Sequence, residues 1–146
     1  MQTVERIIKD RGGLDALKLN YIRIENPGYM RLVIEYVGQG PRGLPMVSVA
    51  HYSEQNGDAM RDPEIVFEVY QFTAPGADME WDWLPISIQQ DYLGSYDVIV
   101  WKDGAQTLTR PKLAKDVLAF SRTWDRNIKA QGFLKAALSA AVKVQS

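Results

Sequence analysis

The sequence predicts an α+β domain in which an antiparallel sheet of about five or six strands carries helices from both ends of the chain on one face. Three observations lead there. Apolar and polar residues alternate in short runs between Tyr21 and Trp101, the period of a half-buried strand. Turn-forming groups such as Asn26-Pro27-Gly28, Asn56-Gly57 and Pro75-Gly76 separate those runs, and connections this short favour antiparallel neighbours. Apolar residues at helical spacing cluster at the two ends of the chain instead, where they can pack onto the sheet.

Taken in order, Thr3 is placed to cap a first helix with Val4, Ile7 and Ile8 on one stripe, and Gly12-Gly13 ends it. Leu14 to Leu17 adds a further short turn. Tyr21 to Glu25 and Met30 to Val37 read as a pair of strands around Asn26-Pro27-Gly28. Residues Gly38 to Pro45 hold three glycines and two prolines, yet lack the Gly-Lys-Ser/Thr ending and following helix of a phosphate-cradling loop, so a wide connection is expected.

Met46 to Tyr52 alternates with Val47, Val49 and His51 on one face, and Ile65 to Phe72 is its return strand. The intervening stretch reads as too long for a two-residue hairpin and is expected to be a structured, polar loop. Glu80 to Ile88 is extended, with Pro85 arguing against an unbroken central strand. Gln89 to Gly94 reads as irregular, and Tyr96 to Trp101 as one last strand closing at Lys102-Asp103-Gly104.

Thr107 to Pro111 leads into a long helix, with proline well placed in its first turn. Leu113, Val117, Phe120, Trp124 and Ile128 form the stripe expected to be buried, and Lys112, Lys115, Arg122, Arg126 and Lys129 fall off it. After Gly132, a second helix carries Phe133, Leu134, Ala137, Leu138 and Ala141 on its apolar side. The expected organisation is a single α+β domain over residues 1–132 and a C-terminal helical extension over 133–146.

The 146 residues suffice for one self-supporting core, and a hydrophobic fraction of 46% with 24% charged residues argues against wholesale disorder. No apolar run is long enough to span a bilayer, and the opening residues lack the apolar region of a secretory signal. Without cysteine there is no disulfide, thiolate metal site or cysteine nucleophile. A cytoplasmic location and no cofactor are the expectation. Between Leu44 and Asp97, ten carboxylates accompany the single cation Arg61, whereas from Arg110 onward eight cations accompany two carboxylates. Such a split either gives the molecule two faces of opposite potential able to steer partners or lets the two regions complement each other inside the fold.

The densest chemistry surrounds the only histidine. His51 is followed by Glu54, Asp58, Asp62 and Glu64, residue types that can hold a divalent ion or form a general base with an orienting acid. The spacing matches no zinc or calcium box. A nuclease reading of Asp62 and Glu68 fails for want of a nearby lysine: Tyr70 stands two residues beyond Glu68. Trp81 and Trp83 share a strand face and fit a core better than a ligand platform.

The pattern His51-Tyr52-x-Glu54-Gln55-Asn56-Gly57-Asp58-x-Met60-x-Asp62-Pro63-Glu64 resembles a small family of uncharacterised bacterial proteins (a domain of unknown function) found on mobile genetic elements and phage genomes. Tyr21 to Pro27, Gly40 to Pro45 and Thr123 to Asn127 carry the same resemblance, which covers the chain from about Gly12 to Phe133. It implies a setting, an accessory protein that helps a mobile element or interferes with host defence, and no activity.

With no complete catalytic set, the expected role is non-enzymatic. An unidentified protein with a basic surface would be engaged through Glu54, Gln55, Asn56, Asp58, Asp62 and Glu64. The alternatives are a metal-assisted hydrolase using His51, Asp58, Asp62 and Glu64, and nucleic-acid binding through the basic C-terminal helix. No membrane partner is expected.

Overall fold

In the computed structural model, residues 1–73, 75–90, 93–102 and 105–145 are described, with the backbone alone at 55, 105–107 and 140–145. Helices α1 (Gln2–Asp10) and α2 (Gly13–Leu19) open the chain. Eight strands follow: β1 (Ile22–Ile24), β2 (Arg31–Gln39), β3 (Pro45–Gln55), β4 (Asp58–Thr73), β5 (Met79–Gln90), β6 (Gly94–Asp97), β7 (Ile99–Lys102) and β8 (Ala105–Thr109). Helices α3 (Pro111–Ala130) and α4 (Phe133–Gln145) complete the order.

Strands β1 to β6 form one antiparallel sheet in which each strand lies beside its neighbour in sequence, and β7 and β8 form a separate pair. Strand alternation sends Leu32, Ile34, Val47, Val49, Ile65 and Phe67 to one face, all fully buried. Against them lie Val4, Ile7 and Ile8 of α1, Val117, Trp124 and Ile128 of α3, and Phe133 and Ala137 of α4, in one apolar cluster. This is the expected α+β arrangement. No helix among the described residues is long and apolar enough to cross a membrane.

The other sheet face explains the glycine- and proline-rich loop. Glu68 alternates outward between Phe67 and Val69, yet it is fully buried, because residues 40–44 fold over it. Its carboxylate accepts the backbone N–H groups of Arg42 (3.0 Å) and Leu44 (3.3 Å) and the Arg42 guanidinium (2.6 Å). Gly40 lies so close that a Cβ there would overlap the Glu68 side chain. Chain composition and buried charge are thus two halves of one contact.

Several expectations change. Helix α1 starts at Gln2, so Thr3 lies inside its first turn instead of capping it. The cap comes from Asp125 of α3, whose carboxylate accepts the N–H of Thr3 (3.1 and 3.2 Å) and of Val4 (3.3 Å), satisfying donors that a helix start leaves free. Pro85 does not interrupt β5; it sits where the register with β4 shifts between Val66 and Phe67, a place where a missing N–H is tolerated.

The expected strand from Tyr96 to Trp101 divides at Val98, whose N–H donates to the Ile86 carbonyl at 2.8 Å. Its first part joins the large sheet and its second pairs with β8, in a segment the sequence reading assigned to the approach to α3. Asp103 and Gly104 of the expected closing turn, and part of the stretch read as irregular (residues 91 and 92), lie outside the described residues, as does the side chain of Ala141. On α3, Ser121 and Asp125 are buried beside Val117, Trp124 and Ile128, while Leu113 is half-buried and Phe120 is 37% exposed. Ser121 stands four residues after Val117 and three before Trp124, so it takes the central position of the stripe and displaces Phe120 to its flank. Phe133, expected to start an extension, is fully buried in the shared core.

Candidate functional site

The stretch expected as a polar loop is a β-hairpin. Asn56 and Gly57 both have positive φ, 53° and 83°, the conformation of a tight turn whose twist matches its strands. Around it Gln55 pairs with Asp58, Glu54 with Ala59 and Ser53 with Met60. The ladder runs further than strict alternation indicates because the register shifts between Ala50 and Tyr52, which absorbs Asp62 and Pro63 opposite His51.

Neighbouring strands do not follow the hairpin outward. Pairing of β2 with β3 reaches Tyr52, and pairing of β5 with β4 begins at Glu64. Beyond those points, two strands continue alone, an arm extending about 10 Å for its three outer pairs at normal strand rise. Glu54, Asn56 and Asp58 are exposed on it and Asp62 is half-exposed; the Gln55 side chain lies outside the described residues.

Alternation decides where each charge points. His51 faces the helices, so Tyr52 and Glu54 both point to the other face: Glu54 shares the face of Tyr52 and Arg61, and Asp58 lies on the opposite face. Glu54, Asp58 and Asp62 have no ion-pair partner among the described residues. Arg61 turns toward the base, its guanidinium 5.2 Å from the Tyr52 ring centre and 3.4 Å from Glu64. Glu64 also accepts the Ser48 hydroxyl at 2.7 Å. It therefore serves the fold at the arm's root, and the free negative charge is left to the other three.

The metal set His51, Asp58, Asp62 and Glu64 is not assembled. His51 and Glu64 occupy opposite sheet faces, and no group of three or more His, Asp or Glu among the described residues is placed to hold an ion. The imidazole is 8% exposed and packed against Trp124 and Phe133, with ring centres 5.5 and 5.3 Å away. Its Nδ1 lies 3.1 Å from the Met30 carbonyl; since a carbonyl only accepts, Nδ1 carries the proton. A cavity of about 360 Å³ at this place is lined by His51, Pro63, Tyr29, Trp124, Asn127 and Gln131, among others.

Burial pushes the His51 pKa below its ordinary 6.5, outweighing the carbonyl and the nearby Asp62, which act the other way. A base depressed in this way is neutral in the fold and takes up its proton more readily when unfolded. Its contribution to stability is then complete above pH 6.5 and is lost as pH falls from there toward the folded pKa, by at most about 1.4 kcal/mol per pH unit. Denaturant unfolding at a series of pH values should show that decline in the parent and a shallower one in His51→Gln. Equal slopes in the two proteins would mean that His51 does not titrate with unfolding.

A family model described as a domain of unknown function (DUF6908) matches residues 2–134, and the chain belongs to that family. No curated protein and no solved structure matches it.

Proposed function

We propose that this member of the DUF6908 family is a non-enzymatic accessory binding protein that engages a protein with a basic surface through its acidic arm. The observation that carries the reading is three carboxylates, Glu54, Asp58 and Asp62, without ion-pair partners on a ribbon that leaves the sheet. Charges held apart from the core in this way repel one another and gain from a cationic partner, which they also steer over distance. A setting in bacteria carrying a mobile element or phage, with interference in host defence as the benefit, is supported by the pattern resemblance of residues 21–27, 40–45, 51–64 and 123–127, and a cytoplasmic location by the cysteine-free sequence. The hydrolase alternative draws no support from a histidine and carboxylates that do not converge.

The test replaces Glu54→Gln, Asp58→Asn and Asp62→Asn together. Thermal stability should stay nearly constant or rise slightly, because no ion pair among the described residues is lost. Association with a partner captured from a bacterial host lysate should slow, and the difference should shrink as salt screens the charges. If the triple variant unfolds while its folded fraction associates normally, the carboxylates serve the hairpin and the partner surface lies elsewhere.

A further inference from the structure

A second surface is built from other residues than the arm. Two cavities lie side by side between the start of α1 and the outward side of α3. One, of about 310 Å³, is lined by Gln2, Thr3, Arg6, Arg126 and Lys129. The other, of about 350 Å³, shares Gln2 and Arg126 and adds Arg122. Asp125 belongs to both walls.

Arg122, Arg126 and Lys129 follow helical spacing and form one exposed stripe, which Lys115 extends at two turns' distance. Arg6 faces it from α1. None of these five cations has an ion-pair partner among the described residues; Arg126 donates a 3.4 Å hydrogen bond to the Thr123 hydroxyl on its own helix. The one carboxylate in the walls is occupied. Both oxygens of Asp125 accept N–H groups at the start of α1, where the positive helix end offsets its charge.

A solvated helix face mixes charges of both signs on a convex surface. Here four of the five cations, Arg6, Arg122, Arg126 and Lys129, line a concavity, and Asp116, the other carboxylate of α3, lies about a third of a turn off the stripe. The spacing calls for a ligand with many anionic groups in a row. From Lys115 to Lys129 the stripe runs about 21 Å along the helix, the length of about six base-pair steps of a duplex. Guanidinium groups suit phosphate oxygens, which they bind through paired N–H donors. Single strands are held by aromatic rings set among the cations, and the only aromatic exposed on α3, Phe120, lies on the far side of the helix and against Trp124 at 6.3 Å.

We infer that the groove between α1 and α3 binds the phosphate backbone of duplex nucleic acid without reading its sequence. The probe is a fluorescently labelled DNA duplex of about 20 base pairs, followed by anisotropy across a salt series. With four phosphate contacts, affinity should fall about a hundredfold between about 50 and 200 mM salt. Duplexes of unrelated sequence should bind alike. Arg122→Gln with Arg126→Gln should weaken binding at least tenfold at low salt and reduce the log–log salt slope by about 1.8, the value of two lost contacts. Both side chains are exposed, so the variant should keep the parent's circular dichroism and melting; if it does not, Lys129→Gln supplies a milder variant with a slope change of about 0.9. The arm triple variant should bind the duplex at least as well as the parent, which separates this surface from the arm. Absence of salt-dependent binding by the parent, or parent-like binding by the arginine variant, overturns the inference. So does equal competition by polyglutamate of matched charge, which would make the groove an acceptor of acidic protein.

Discussion

Trp124→Ala should destabilise the protein by about 3–5 kcal/mol, the usual cost of truncating a large core aromatic. The indole is 6% exposed and packs on the His51 and Phe120 rings at 5.5 and 6.3 Å between centres. It also walls the cavity beside His51, so its loss enlarges an existing void instead of leaving a gap that neighbours can close. Trp124 Nε1 is buried without a hydrogen-bond partner among the described residues. Trp124→Phe should cost far less than Ala, since it keeps most of the ring contact. Urea unfolding of both variants decides the matter: parent-like stability in the Ala variant would be incompatible with α3 packing on the sheet through this residue.

Glu68→Ala should cost about as much, roughly 3–5 kcal/mol, for an electrostatic reason, since removing one member of a buried ion pair is among the larger single-site losses. The carboxylate is fully buried, and its partner Arg42 is partly exposed. Truncation leaves the Arg42 and Leu44 N–H groups without their acceptor and opens a void below Gly40. Arg42 can return to water, which limits the loss on that side. Glu68→Gln keeps the volume and one carbonyl acceptor, so about half the loss should be recovered, whereas turning an amide toward the guanidinium forfeits the ion pair. Equal unfolding midpoints for Glu68→Ala and the parent would show that the loop is held by its own turns.

The sequence revealed what depends on periodicity. The faces of β2, β3 and β4 follow from strict alternation, and the α1 stripe of Val4, Ile7 and Ile8 from helical spacing. What escaped depends on contacts between distant residues. Asp125 reads as a surface charge on a basic helix, and only the approach of α1, 122 residues away, turns it into a cap. Glu68 reads as one more outward carboxylate until residues 40–44 cover it. The arm was half legible: Asn56-Gly57 announced a tight turn, but the register shift at Tyr52 hid the continuity of its strands. Of the proposed binding residues, Glu54, Asp58 and Asp62 have no ion-pair partner among the described residues, and Glu64 is held by Ser48, a hydroxyl 16 residues earlier.

The meander has open margins, and their chemistry bears on whether copies of the chain stick together. β6 covers β5 only from Ser87 to Gln90, and the Ile86 carbonyl accepts Val98. From Met79 to Pro85 the outer backbone of β5 has no strand paired with it among the described residues, and an unpaired edge of that kind is a template on which a foreign strand can add. Its side chains discourage the addition. Glu80 and Asp82 are exposed there, so two copies meeting edge to edge would bring like charges together. Pro85 offers no N–H at the inner limit of the stretch. The opposite edge, β1, is three residues long, too short to hold an incoming strand. The acidity of residues 78–82 thus sets like charges along this margin of the six-stranded sheet, which opposes edge-to-edge addition of a second copy.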